Sequence, residues 1–204
     1  MNLNRRHFLL GSAASVALVG SASTKIAPRK LVAGEKANVA MIGLGIQGRT
    51  ALLPQFLGQY DRGAKVVVCC DCDKDRREDG AKRVDDYYSK RKIQSACKAV
   101  ADFRDVLKDP TIDMVCIATP DHWHAYMAVE AMKAGKDVYC EKPLTHTVEE
   151  AKAVMAAAAK YGRILQTGAM QRSGIEFRTA CMVVRNGGIG RVSLVDVNYG
   201  GPSR

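Results

Sequence analysis

The sequence contains no hydrophobic run long enough to form an ordinary membrane-spanning helix. Its apolar stretch near the start, residues 11–20, is shorter than the roughly 20 residues that a span requires. It also contains no internal repeat and no low-complexity tract, so it is not patterned as a repeat array or a flexible linker. With 204 residues, 47% of them hydrophobic, the chain can bury the core of one domain and begin a second.

The sequence also lacks the paired ligands of a zinc site, although it contains seven cysteines. Three of these lie together at Cys69, Cys70 and Cys72, but no second pair follows at a zinc-like spacing. The first two, like Cys116 and Cys140, lie in apolar runs, where a free cysteine behaves as a small hydrophobe. We therefore predict buried free thiols and no metal site.

Acidic residues are fewer than basic ones, 21 against 31, which gives a net charge of +10. This surplus alone would suggest a nucleic-acid partner. However, five of the basic residues lie within residues 1–30, and most of the others alternate with acids, as in residues 71–92. Such alternation is typical of a solvated helix face, so we expect no nucleic-acid partner.

The first thirty residues have the pattern of an export signal. Arg5 and Arg6 form a twin-arginine pattern within residues 4–10, and the apolar run follows them. Residues 20–23 are small and suit signal cleavage. We expect residues 1–30 to be a twin-arginine signal with a linker, and the mature protein to be periplasmic or otherwise exported, without membrane contact. A basic N-terminus on a cytosolic protein is the alternative.

A glycine-rich turn organises the rest of the chain. Gly43, Gly45 and Gly48 form the pattern G-x-G-x-x-G after a short apolar run, with Ile46 and Gln47 between the last two glycines. At a strand-to-helix turn, the first glycine permits the tight turn and the second lets a pyrophosphate approach the backbone. The third lets the helix pack closely against the strand. Because an acidic residue follows at the expected distance, we predict a dinucleotide-binding turn.

Asp71, at the end of the second predicted strand, determines which dinucleotide we expect. A carboxylate there can accept hydrogen bonds from the ribose hydroxyls of NAD, and it repels the 2′-phosphate of NADP. Asp73 is a second candidate for this role, whereas Lys74 and Arg76 leave NADP open. We predict NAD, although a simple turn residue at the strand end is the alternative interpretation of Asp71.

Apolar runs and helical segments alternate along the chain. Predicted strands cover residues 39–42, 64–70, 112–118, 137–140, 163–167 and 192–199. Predicted helices cover residues 46–57, 74–90, 102–108, 121–134, 147–161 and 174–186. This alternation predicts an α/β fold, a Rossmann domain with a doubly wound parallel sheet, over residues 36–172. Residues 173–204 would begin a second, α+β domain with an open sheet.

Five residues are predicted to shape the ends of helices. Pro54 has no amide donor and should kink or shorten the first helix. Asp121 is predicted to cap the helix that ends before Gly135. Thr147 opens a capping box, and Gly162 ends the helix that follows it.

Four motifs stand in the order of a known family: residues 43–48, 70–71, 118–124 (Ala-Thr-Pro-Asp-His-Trp-His) and 141–143 (Glu-Lys-Pro). Together they resemble the Gfo/Idh/MocA family over residues 37–200. The resemblance implies a Rossmann domain and hydride transfer between a nicotinamide cofactor and a sugar or cyclitol hydroxyl. The Asp-His-Trp-His variant, with a twin-arginine leader, is similar to exported sugar-acting members, including NAD-dependent glycosidases.

The resemblance also implies roles for individual residues. The loop with Thr119, Pro120, Trp123 and His124 would line the nicotinamide half of the cofactor, and Glu141 would also bind the cofactor. Lys142 would reach both the nicotinamide and the substrate hydroxyl, where a lysine can polarise or help deprotonate a carbinol. Each role has an alternative. Lys142 would be a surface lysine before a turn proline, His124 a histidine on a helix face, and Trp123 a side chain that only packs.

The resemblance further implies that the second domain supplies an Asp and a His that complete catalysis. Residues 173–204 would hold only its first strand, 192–199, which would lack a pairing partner and leave an edge open to aggregation. We therefore expect a longer, homo-oligomeric protein, whose catalytic base and substrate pocket lie mostly beyond this sequence.

Three functions are open at this point. The first is an NAD-dependent oxidoreductase acting on a sugar or cyclitol. The second is a glycosidase, lyase or hydratase that oxidises its sugar transiently with bound NAD and then reduces it again. The third is a non-catalytic dinucleotide-binding protein. Because an extracytoplasmic space is expected to hold little free NAD, we expect a tightly bound cofactor.

Overall fold

The fold is a six-stranded, all-parallel sheet with the strand order β3-β2-β1-β4-β5-β6. The computed structural model describes residues 31–197, so the twin-arginine segment and the end of the strand predicted at 192–199 lie outside the described residues. The strands are β1 (Ala37–Ile42), β2 (Ala64–Cys70), β3 (Lys98–Val100), β4 (Met114–Ile117), β5 (Asp137–Glu141) and β6 (Leu165–Gly168).

Helices connect these strands, and a further helix follows the sheet. They are α1 (Leu53–Leu57), α2 (Lys74–Lys90), α3 (Phe103–Lys108), α4 (His124–Lys133), α5 (Val148–Tyr161) and α6 (Ile175–Arg185). A π-helical segment, Gln47–Leu52, leads into α1, and 3₁₀ turns lie at Tyr60–Arg62, Asp121–Trp123 and Met170–Ser173. Within the part of the chain that the structure describes, no helix is long and apolar enough to cross a membrane.

The sheet is buried on both faces, which explains why its central strands are almost entirely apolar. On one face, Met41 of β1 belongs to the same core as Leu52 and Tyr88, which come from the first helical segment and α2. On the other face, Ile42 belongs to a core built with α3, α4 and α5, including Ala128 of α4. Helices on both faces of a parallel sheet confirm the predicted doubly wound Rossmann fold.

The four cysteines in strands are free and buried, as predicted. Burial raises the pKa of the Cys70 and Cys140 thiols to about 12, so both stay protonated near neutral pH. Over residues 31–197, no group of three His, Cys, Asp or Glu side chains is arranged to hold a metal ion.

Several predicted helix ends are confirmed. The Thr147 hydroxyl accepts from the Glu150 amide at 3.1 Å, and the Glu150 carboxylate accepts from the Thr147 amide at 3.3 Å. Gly162 and Gly135 have positive φ angles of 62° and 79° after α5 and α4, respectively. Pro54 lies inside a continuous helical run, because the π-helical segment Gln47–Leu52 leads directly into α1, and it has no amide to donate there.

The predicted cap at Asp121 is wrong. The helix α4 begins three residues later, at His124, and no side chain of the described residues caps it. The Asp121 carboxylate instead lies 3.1 Å from Nε2 of His146, a contact that lowers the pKa of the Asp121 carboxyl. Capping was predicted from local sequence, whereas the actual partner lies 25 positions further along the chain.

Two strand predictions also need correction. The edge strand β3 was not predicted, because Lys98 and Ala99 are exposed and the segment is too short to show an apolar run. The strand predicted at 192–199 is absent over its described part, residues 192–197, which are exposed. A strand needs a neighbour for its backbone hydrogen bonds, and no strand of residues 31–197 lies beside this segment.

Candidate active site

The glycine turn lies between the end of β1 and the first helical segment, and two of its glycines are required by the backbone around them. Gly43 has φ of 89°, and a Cβ at this position would lie 2.6 Å from the backbone carbonyl carbon of Ala118. A Cβ at Gly48 would lie 2.0 Å from the carbonyl oxygen of Gly43. The helix can therefore approach the strand only with glycine at both positions.

The middle glycine differs, because it has free space around it. Among residues 31–197, a Cβ at Gly45 would meet no atom within 4 Å, and the next residue, Ile46, is exposed. The backbone of this turn therefore does not need glycine for its own packing. The space beside Gly45 fits the close approach of a pyrophosphate that the motif predicts.

Asp71 lies at the carboxyl end of β2 and binds the glycine turn directly. Its Oδ2 accepts a hydrogen bond from the Leu44 amide at 2.7 Å, and its Oδ1 accepts from the Asp73 amide at 2.9 Å. Cys72 Sγ also lies 3.7 Å from Oδ1, so Oδ2 keeps more of its acceptor capacity for a ribose hydroxyl. Asp71 thus both holds the turn and fits its predicted role.

The two cations that left NADP open are each paired with an acid. Lys74 Nζ lies 3.8 Å from Glu78, and Arg76 Nε lies 3.4 Å from Asp73. Both pairs are well exposed, so each contributes little to stability. A 2′-phosphate would need these cations, and each pair nevertheless places an acid beside the cation.

His124 connects the loops that follow β4 and β5. It is buried, its Nδ1 lies 2.7 Å from the Pro143 carbonyl oxygen, and its Nε2 lies 2.9 Å from the Thr119 carbonyl oxygen. Both ring nitrogens thus face backbone carbonyls of the two loops. The contact of the Asp121 carboxylate with Nε2 of His146, at 3.1 Å, joins the same loops a second time. The predicted contact of His124 with nicotinamide stays a prediction.

Trp123 and Pro120 remain at the surface of the loop after β4. The indole ring of Trp123 is 38% exposed and lies 6.4 Å from the ring of Phe103 and 6.0 Å from that of Tyr126, between centroids. Pro120 is exposed, and its carbonyl oxygen accepts from the Trp123 amide at 3.0 Å. Trp123 is therefore packed on one side and open on the other, which leaves both of its predicted roles open.

Glu141 ends β5 as a buried side chain, with 3% of its surface exposed. Its Oε1 accepts a hydrogen bond from Gln47 Nε2 at 3.2 Å, and its Oε2 accepts from the Lys142 amide at 3.1 Å. Gln47 belongs to the glycine motif, 94 positions earlier in the chain. The carboxylate therefore links the start of the first helix to the residue predicted to be catalytic.

Lys142 is exposed at the start of the loop after β5, and its peptide bond to Pro143 is cis. Among residues 31–197, its ammonium makes no hydrogen bond or ion pair. The side chain can therefore reach a ligand above the sheet edge without breaking a contact of the protein.

Sequence reasoning missed two residues that support Glu141. A Cβ at Gly168 of β6 would lie 2.9 Å from both Glu141 Oε1 and the Tyr139 hydroxyl. The strand can therefore approach the carboxylate this closely only with glycine at position 168. Burial, followed by the charge of Glu141, raises the pKa of Tyr139 to about 12. The sequence did contain one signal for this contact. Gly168 directly follows a predicted strand, and a glycine there often marks a place where another group approaches the backbone closely.

These side chains share one edge of the sheet. Asp71 lies at the end of β2, the glycine turn at the end of β1, and Thr119 and Lys142 in the loops after β4 and β5. Open α/β sheets bind ligands at this edge, where the strand order changes direction, here between β1 and β4. The fold and the glycine turn define a dinucleotide-binding protein of the Rossmann class.

Comparison with known proteins gives the family. The model of the Gfo/Idh/MocA family, described as an oxidoreductase family with an NAD-binding Rossmann fold, matches residues 37–169. The match covers more than half of the chain, and the chain belongs to this family. The resemblance stated from the four motifs is confirmed.

Individual relatives differ in the activities that their names give. Levoglucosan dehydrogenase of Pseudarthrobacter phenanthrenivorans is 30% identical over 160 residues, covering 76% of this chain and 38% of that protein. A glycosyl hydrolase family 109 protein of Shewanella pealeana is 27% identical over 215 residues, covering 97% of this chain and 42% of that protein. The solved structure of myo-inositol 2-dehydrogenase from Lactobacillus plantarum has a TM-score of 0.62 and 27% identity, covering 78% of this chain and 43% of that one. The chain thus spans less than half the length of each.

Proposed function

We propose that this chain forms the dinucleotide-binding part of an enzyme that transfers hydride between a sugar or cyclitol carbinol and bound NAD. One observation carries the proposal: the open glycine turn, the Asp71 carboxylate and the unengaged Lys142 ammonium lie along one sheet edge. When bound, the dinucleotide supplies a ring that can accept and return hydride. For hydride transfer, the protein therefore needs only to position the substrate and to bind or release its proton.

Lys142 is the residue that we assign to the substrate hydroxyl. Its exposed ammonium can donate a hydrogen bond to the carbinol oxygen, or take part in proton transfer once a base is present. The contacts of His124 and of Asp121 with His146 hold the loop after β5 against the loop after β4, which fixes the backbone from which Lys142 extends. Positioning of this kind is a substantial part of catalysis.

NAD is the dinucleotide that we propose over NADP. A 2′-phosphate beside Asp71 would meet a carboxylate, and Lys74 and Arg76 each lie beside an acid. The Arg77 guanidinium is also near, but it donates to the backbone carbonyl oxygens of Asp71 and Cys72, at 3.3 and 3.1 Å. The proposal concerns the preference alone, since both dinucleotides share the pyrophosphate that the glycine turn would bind.

A redox-neutral glycosidase, lyase or hydratase is the second candidate. The glycosyl hydrolase family 109 relative aligns over 97% of this chain, which favours it. The twin-arginine pattern of Arg5 and Arg6 supports export of a folded protein, and an exported enzyme that cannot exchange its cofactor must restore it within each cycle. Free thiols are compatible with folding in a reducing compartment before export.

The experiment that tests the proposal is turnover of sugars and cyclitols by the complete protein, followed in two ways. Net formation of NADH from added NAD indicates the oxidoreductase. Substrate cleavage or hydration without net NADH indicates the redox-neutral enzyme. A protein that retains the dinucleotide but converts no sugar or cyclitol would contradict both and favour a non-catalytic binding role.

A further inference from the structure

Glu141 is a buried carboxylate without a cationic partner among residues 31–197. Its hydrogen-bond donors are the Gln47 side-chain amide and the Lys142 backbone amide, which are both neutral, and no ion pair joins it. Only 3% of its surface is exposed. Because a buried charge is costly unless an opposite charge accompanies it, this carboxylate points to a cation that a ligand supplies.

The position of Glu141 identifies which part of the ligand is concerned. Asp71, at the end of β2, marks the adenosine side of the predicted dinucleotide, and the glycine turn after β1 marks its pyrophosphate. The nicotinamide side therefore lies towards β4 and β5, the strands on the other side of β1. Glu141 ends β5 and contacts Gln47 of the glycine motif, so it lies at that side of the site.

We propose that the negative charge of Glu141 makes this site bind the oxidised, positively charged nicotinamide more tightly than the reduced, neutral one. The inference rests on the proposed function, since it requires a bound nicotinamide. Charges interact strongly where water is excluded, and Glu141 is buried. Lys142 brings a positive charge to the same loop, but its side chain is exposed and therefore better screened.

The other group beside the carboxylate does not cancel its charge. The Tyr139 hydroxyl and Glu141 Oε1 would each lie 2.9 Å from a Cβ at Gly168, and burial together with the charge of Glu141 raises the pKa of this phenol to about 12. Tyr139 thus stays neutral over the physiological range. A dinucleotide held through many turnovers would then rest in its oxidised form, ready for the next substrate.

Separate titrations of the cofactor-free complete protein with NAD⁺ and with NADH test this inference. The wild type should bind NAD⁺ more tightly. Glu141→Gln keeps the size of the side chain and removes its charge, so the ratio of the NADH Kd to the NAD⁺ Kd should fall by roughly tenfold. Glu141→Asp keeps the charge and should keep the preference for NAD⁺. Glu149→Gln, an exposed change at the start of α5, is the matched control and should leave the ratio unchanged.

The outcomes separate this inference from the proposed function. Tight binding of both dinucleotides with an equal Kd in the wild type would overturn the inference alone. So would a Glu141→Gln protein that keeps the wild-type ratio. The wild-type titration needs no variant, and it decides the question even if Glu141→Gln fails to fold. A wild-type protein that binds neither dinucleotide would overturn the proposed function and the inference together.

Discussion

Side chains predicted to bind the cofactor also hold the site together. Asp71 accepts a hydrogen bond from the Leu44 amide of the glycine turn, and Glu141 accepts one from Gln47 of the same motif. His124 joins two loops through its ring nitrogens. The sequence could indicate these residue types at strand ends, but it could not give their mutual contacts. Those contacts span up to 94 positions and depend on the strand order.

Replacing Asp71 should change the choice of dinucleotide. Asp71→Asn keeps an oxygen that can accept from Leu44 but removes the charge that repels a 2′-phosphate. The ratio of the NADP Kd to the NAD Kd should fall roughly tenfold, the scale of one charge-assisted hydrogen bond. Asp71→Ala should shift the preference in the same direction and also loosen the glycine turn, because it leaves the Leu44 amide without its acceptor.

The control for this change is Asp86→Asn, which removes an exposed carboxylate further along α2. Its ratio of NADP to NAD affinity should equal that of the wild type. An unchanged ratio in a folded Asp71→Asn protein would mean that Asp71 does not select the dinucleotide.

Lys142→Ala should lower kcat by roughly 10² or more, the scale of lost acid–base assistance. The melting temperature should stay at the wild-type value, because the Lys142 side chain is exposed and its ammonium has no partner among residues 31–197. Steady-state kinetics and thermal unfolding of the complete protein measure the two quantities. Lys152→Ala, an exposed change on α5, should affect neither. A lower melting temperature with normal kcat would show instead that Lys142 is structural.

At the scale of elements, the long and strongly patterned segments were predictable. The bounds of β2 and α2 agree with the prediction, because an apolar run and a charged helix each carry a clear signal. The edge strand β3 gave no such signal, since it is three residues long and largely exposed. The sequence predicted that Pro54 disturbs the first helix, but it did not predict the π-helical segment before it. Ends of elements set by distant partners, as at Asp121, were out of reach of local reasoning.

The glycine turn gives a prediction in which two similar changes act differently. Gly48→Ala places a Cβ 2.0 Å from the Gly43 carbonyl oxygen, so the helix must move away from β1. We expect a loss of about 1–3 kcal/mol or more in the free energy of unfolding. The new Cβ of Gly45→Ala meets no atom of residues 31–197 within 4 Å, so stability should be nearly unchanged while dinucleotide binding weakens.

Chemical denaturation and dinucleotide titration of the two variants measure these effects. Each variant is the control for the other, since both replace glycine by alanine in the same motif. A Gly45→Ala protein that binds NAD as tightly as the wild type would show that the free space beside Gly45 is not used by the pyrophosphate.

At the scale of the whole molecule, the order of motifs carried the most information. The glycine turn, Asp71, the loop beginning at Thr119 and the Glu-Lys-Pro turn are scattered over about a hundred residues. A doubly wound sheet gathers them at one edge because its strands are parallel and all end on the same side. Fold and family could therefore be predicted, whereas the substrate could not, because no pattern within these motifs specifies a sugar.

The cofactor content of the purified protein tests the central claim most directly. The complete protein is isolated without added cofactor and denatured, and the released dinucleotide is quantified and identified. We predict about one NAD(H) per chain, since residues 31–197 contain one glycine turn of this type. Turnover without added NAD would in addition favour the redox-neutral enzyme over the oxidoreductase. An empty protein whose activity depends strictly on added NAD would contradict tight binding, and a folded protein that neither contains nor binds any dinucleotide would contradict the account as a whole.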